Sequence, residues 1–98
     1  MKAAGSAFQN IAGAATTLVR TGGCILERVV MNKRVASGVV TIYDNTAASG
    51  TKVGTITNAG TLLSDEPITV DYGTACRTGL TVVTSAADDI TVVYTPTL

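Results

Sequence analysis

An all-β fold, a small antiparallel β-sandwich or barrel of about seven short strands with an extended N-terminal arm, is what this sequence predicts. Three observations carry that expectation. Short runs rich in β-branched side chains recur, as in Val39–Tyr43 (VVTIY), Leu80–Thr84 (LTVVT) and Ile90–Tyr94 (ITVVY); such side chains lose little freedom when the backbone is already extended. Segments with turn chemistry separate them: Asp44–Gly50, Asn58-Ala59-Gly60 and Ser85–Asp89, where Asp, Asn, Ser and Gly offer local hydrogen bonds or positive φ. Finally, Ile68, Val70 and Tyr72 alternate with Thr69 and Asp71, the period of a strand with one wet face.

The stretch Gly38–Thr57 organises the chain: strand over Val39–Tyr43, loop over Asp44–Gly50, and a second strand carrying Val53 and Ile56. Before it, residues 1–15 are rich in Ala and Gly, with Phe8 and Ile11 the only large apolar side chains apart from Met1. Phe8, Ile11 and Ala12 have helical spacing, but Gly5 and Gly13 make an independent helix costly. The segment reads as a flexible arm over 1–15, ordered only by a neighbour, ahead of a single β domain over 16–98. Thr16–Arg20 is a short strand closed by Thr21-Gly22-Gly23. Cys24–Asn32 is apolar apart from Glu27, Arg28 and the closing Asn32, and strand is favoured over helix by the glycines before it and the valines within it. Thr61-Leu62-Leu63 is a short strand or a set of loop anchors, ended by Ser64-Asp65-Glu66-Pro67. After Ile68–Tyr72, the connection Gly73–Gly79 leads to Leu80–Thr84. Ser85–Asp89 has the length of a hairpin loop to Ile90–Tyr94, and Pro96 stops further pairing. Ile42, Val70, Val82 and Val92 are the expected inward-facing core positions.

Composition narrows the function classes. The 98 residues suggest one domain, 46% are apolar, and only Phe8, Tyr43, Tyr72 and Tyr94 are aromatic, so Val, Ile, Leu and Ala must build the core. Seven basic residues balance seven acidic ones, which gives the chain no overall electrostatic attraction to nucleic acid or to an anionic membrane. Sparse charge suits a subunit whose outer faces meet other protein. Met1-Lys2 begins like a signal peptide, yet Gly5, Ser6, Gln9, Asn10 and Gly13 interrupt the apolar stretch it would need. No run reaches the length of a transmembrane helix. The expectation is a soluble protein used where it is made.

Candidate chemistry is thin. The chain has no histidine and two cysteines, Cys24 and Cys76, too few for a structural zinc site within one chain. The two thiols either pair, if the fold brings their Cα atoms within about 7 Å, or serve as buried small apolar side chains. Asp88-Asp89 and Asp65-Glu66 are adjacent carboxylates whose side chains point apart along an extended chain, and solvated turn charge accounts for them. Gly22-Gly23 lacks the lysine and helix of a phosphate loop. Lys33-Arg34 with Arg28 is the basic cluster, without interleaved aromatics. No catalytic, cofactor-binding or metal-binding residue is expected, and no enzyme activity.

The hairpin Val39–Ile56, with Tyr43-Asp44 and a small-residue loop ending Ser49-Gly50, is followed by Gly79-Leu80-Thr81-Val82-Val83 and Asp89-Ile90-Thr91-Val92-Val93-Tyr94. This order, across residues 16–95, resembles small structural proteins of tailed-bacteriophage virions, the kind that cement or decorate the capsid. The resemblance lies in layout and local phrases and transfers no individual contact residue. It implies a β-rich protein, made in the host cytoplasm, on the outer surface of the virion shell. There it would bridge neighbouring subunits of the major capsid protein as a homo-oligomer, a trimer first, with no nucleic acid, membrane or small-molecule substrate as partner. The alternatives are a tail or neck component of the phage, and a cell-surface or carbohydrate-binding β-sandwich; the lack of Trp speaks against the last.

Overall fold

A computed structural model describes residues 6–62 and 66–97. Among them are eight strands: β1 (Ala7–Ala12), β2 (Ala15–Thr21), β3 (Cys24–Lys33), β4 (Val39–Asp44), β5 (Thr51–Thr57), β6 (Ile68–Cys76), β7 (Gly79–Thr84) and β8 (Asp89–Pro96). They form two four-stranded sheets, β1-β8-β3-β6 and β2-β7-β4-β5, and every ladder is antiparallel. Four ladders obey one rule: β1 pairs β8, β2 pairs β7, β3 pairs β6 and β4 pairs β5. The chain is thus one long antiparallel ribbon with the β4–β5 hairpin at its tip. Rolling the ribbon adds the ladders β3–β8 and β4–β7, and the result is the connectivity of an eight-stranded jelly roll.

The core lies between the sheets. Ile11, Cys24, Leu26, Val29, Met31, Cys76, Ile90 and Val92 from one sheet meet Val40, Ile42, Leu80 and Val82 from the other. Ile42, Val82 and Val92 are buried as expected, while Val70 is half-buried at the rim of β6 and lies outside the core cluster. Tyr72 does pack against the core, and it reaches across to β5: a Cβ on Gly54 would stand 2.8 Å from its hydroxyl. Thr69 faces outward and is exposed.

The awkward length of the 24–32 segment has a simple cause. Against both neighbours, β3 shifts register between Leu26 and Arg28. The bulge changes the phase of the alternation, so Cys24 and Leu26 point inward before it and Val29 and Met31 after it. The same device in β5 turns both Val53 and Ile56 toward the core.

Two expectations are corrected. The arm proposed for residues 1–15 is, from Ala7, an integral strand: β1 runs in register with β8, Ile11 is buried in the core, and β2 begins at Ala15. One large inward side chain and a full ladder suffice to hold an edge strand, so Ala/Gly composition alone misleads here. The β body therefore begins at Ala7 and not at residue 16. The second correction concerns Ser85–Asp88, which is no hairpin loop: β7 and β8 lie in different sheets. Thr61 and Leu62 are outside any strand, and Leu63 to Asp65 lie outside the described residues.

Candidate functional site

Both ends of the sandwich are tied by a buried or partly buried aspartate. At one end, Asp88 is buried; its Oδ1 accepts from the Val35 N–H at 2.9 Å and its Oδ2 from Asn58 Nδ2 at 3.1 Å. Asn58 Nδ2 also donates to the Val35 carbonyl, so the connections β3–β4, β5–β6 and β7–β8 converge on one carboxylate. At the other end, Asp44 Oδ1 accepts from the N–H groups of Thr78 at 2.9 Å and Gly79 at 3.4 Å. Burial alone would push the Asp44 carboxyl up, but backbone N–H donors from Thr78, Arg77 and Gly79 outweigh it and hold the group below its ordinary value. Beside it, Thr81 Oγ1 donates to the Asn45 carbonyl. Gly79 fits this corner because it lacks a side chain: a Cβ there would lie 2.9 Å from the Arg20 carbonyl and 3.0 Å from that of Asn45.

The carboxylates and cations named from the sequence are thereby placed. Asp88 and Asp89 point apart as expected, but Asp88 is a buried acceptor and not a solvated turn charge. Asp89 stands on the outer face, where Asn10 Nδ2 (2.8 Å) and Asn32 Nδ2 (3.2 Å) donate to its Oδ1 and bind β1, β8 and β3 together. Glu66 is exposed, and Asp65 lies outside the described residues. Of the basic residues, Arg28 lies 3.7 Å from Glu27 and 3.8 Å from Asp71, and Arg34 donates to the Glu66 carbonyl. Glu27 accepts from Thr95 and Ser6, and these bonds lower its carboxyl. Among the described residues no three His, Cys, Asp or Glu side chains are grouped to hold a metal, and no helix is long and apolar enough to cross a membrane.

Cys24 and Cys76, left open by the sequence, are free, buried and directly opposite each other in the β3–β6 register. They border a surface depression of about 550 Å³ that Gly23, Ala75, Arg77 and Thr97 also line. Burial raises both thiols, and with its neighbours Cys24 and Asp44 adding to the effect Cys76 is pushed up to about 12. No spacing rule could have paired them, because their proximity depends on the rolling of the ribbon.

What remains is surface. Along the flank where β1 and β2 form the sheet edges stand the two most exposed large apolar side chains among the described residues, Phe8 (71% exposed) on the outer face of the β1-β8-β3-β6 sheet and Leu18 (49%) on that of the other sheet. The outer face of the β2-β7-β4-β5 sheet continues from Leu18 through Thr16, Val83, Thr41, Tyr43 and Thr55, with Lys52 at its far side. An unpaired strand edge beside exposed apolar side chains is a surface suited to another protein. Comparison with protein families, with curated proteins and with solved structures returns no match for this chain.

Proposed function

We propose that this chain is a structural protein of a tailed-bacteriophage virion, a cement or decoration subunit on the outer capsid surface. As a homo-oligomer, with a trimer as the first choice, it bridges neighbouring copies of the major capsid protein and stiffens the shell. The observation that carries this reading is the β1/β2 flank: two open strand edges, with Phe8 exposed on the outer face of the β1-β8-β3-β6 sheet and Leu18 on the threonine- and valine-rich outer face of the other sheet. A rigid body, sparse charge and apolar edges are what a many-copy adhesive needs, since repeated weak contacts on a lattice add through effective concentration. The jelly roll is also a recurrent architecture of capsid domains, an analogy of fold that supports the reading without establishing it.

The test is co-sedimentation of the purified chain with shells of the particle that lacks it, followed by heating of the shells. Saturable binding and a higher temperature of shell disruption are expected. Phe8→Ser and Leu18→Ser should lower occupancy while changing the unfolding free energy of the free chain by no more than about 0.5 kcal/mol, as for other exposed positions. Absence of binding to shells at saturating chain contradicts the proposal.

A further inference from the structure

We propose that Cys24 and Cys76 form a redox-responsive staple, closing into an intramolecular cross-strand disulfide between β3 and β6 when the chain meets a small disulfide oxidant. The geometry is already set. The two residues are Cα partners in an antiparallel ladder, and such partners stand about 4.5–5.5 Å apart, inside the range of about 4.4–6.8 Å that disulfides span. Both side chains are buried in the core on the same face of the ladder. Ordering the bond therefore requires no movement of the sheets.

Position in the fold makes the pair reachable. Cys24 opens β3 and Cys76 closes β6, so both lie at one end of the sandwich, against the depression bordered by Gly23, Arg77 and Thr97. β6 is an edge strand with β3 as its ladder partner, and local opening of this strand end is the route by which an oxidant reaches the thiols. Burial raises both thiols, so exchange is slow in the closed form. Cys76 and then the Arg20 guanidinium ease this for Cys24 against an opposing Asp44, whereas Cys24 and Asp44 both push Cys76 higher, which makes Cys24 the attacking group.

The step balances as thiol–disulfide exchange. The Cys24 thiolate, its proton lost to water, attacks one sulfur of oxidised glutathione; the S–S bond of the oxidant breaks and one glutathione thiolate leaves. The Cys76 thiolate then attacks Cys24 Sγ in the mixed disulfide, forming the Sγ–Sγ bond and releasing the second glutathione. The two cysteines are oxidised by two electrons, and the small disulfide is reduced to two thiols. The new bond ties the edge strand β6 to the central strand β3 and closes a long loop containing β4 and β5, where a cross-link has large entropic leverage on the unfolded chain. The inference stands apart from the proposed function, since it rests on the β3–β6 register alone.

The reduced full-length chain, incubated with oxidised glutathione, quenched in acid, then denatured and alkylated, should show by intact mass the loss of two hydrogens, no added alkyl group and no dimer. Its unfolding equilibrium constant in urea should fall about 10²–10³-fold relative to the reduced chain, and dithiothreitol should reverse the change. Cys76→Ser should stop at the glutathione adduct on Cys24. Two alkylatable thiols after prolonged exchange, a stable glutathione adduct on the wild-type chain, covalent dimers as the main product, or a disulfide that leaves unfolding unchanged would each overturn the staple. The wild-type measurements decide the matter even if the serine variant does not fold.

Discussion

Asp88 and Asp89 are adjacent and identical in type, yet one is a buried structural acceptor and the other an outer-face ligand of Asn10 and Asn32. Removing Asp88 leaves the Val35 N–H and one Asn58 donor without an acceptor at a buried site, so Asp88→Ala should cost at least about 1–3 kcal/mol in urea unfolding. Asp44 gives a pH dependence with a definite sign. Its carboxyl is held below the ordinary value of 3.8, so its stabilisation is complete above that value and is lost as pH falls through the lower, folded-state value. The expected outcome is that Asp44→Ala weakens the chain near neutrality and flattens the acid limb of the stability–pH curve; an unchanged acid limb contradicts the assignment. In the core, Ile42→Ala should cost about 2–5 kcal/mol, whereas Thr69→Ala, exposed on the outer side of β6, should change stability by no more than about 0.5 kcal/mol. Equal urea midpoints for these two variants would mean that the faces are assigned wrongly. Their roles differ because alternation fixes which side chain meets the other sheet, and that alternation is legible in the sequence.

At the scale of elements, the strands themselves were readable and their lengths less so. Val39–Tyr43, Leu80–Thr84 and Ile90–Tyr94 announce themselves through β-branched density, and the β4–β5 hairpin follows from the small-residue loop between its strands. Strand β1 escaped, because its alternation has one large inward member, Ile11, and its stability comes from the β8 ladder and not from its own composition. Deleting Met1–Ala12 should therefore lower the unfolding free energy of the body by several kcal/mol, of the order of a buried large side chain plus a strand's hydrogen bonds. An unchanged urea midpoint for the truncated chain would restore the flexible arm. The bulge in β3 was hidden for another reason: a two-against-one register is set jointly by β6 and β8, neither of which is near it in sequence. The pairing of Cys24 with Cys76 was illegible on the same ground.

For the whole molecule, sandwich architecture could be inferred from many short strands and turn signals, but the jelly-roll order could not. A turn such as Ser85–Asp88 fits equally well between paired strands or between sheets, and only the closing of the core decides which. The proposed role depends on what that closing leaves outside: the open edges of β1 and β2, Phe8, Leu18 and a threonine-rich face. Light scattering of the purified chain should give a mass well above the 9.9 kDa of one copy, and a chain that is monomeric both in solution and on the particle contradicts the oligomer. The most direct measurement is an electron cryo-microscopy reconstruction of the virion at a resolution that locates this sandwich. The jelly roll is expected on the outer shell at junctions between capsid subunits, in clustered copies, with the β1/β2 flank against its neighbours. Density for the chain in the tail or neck, or a complete virion without it, would contradict the proposal.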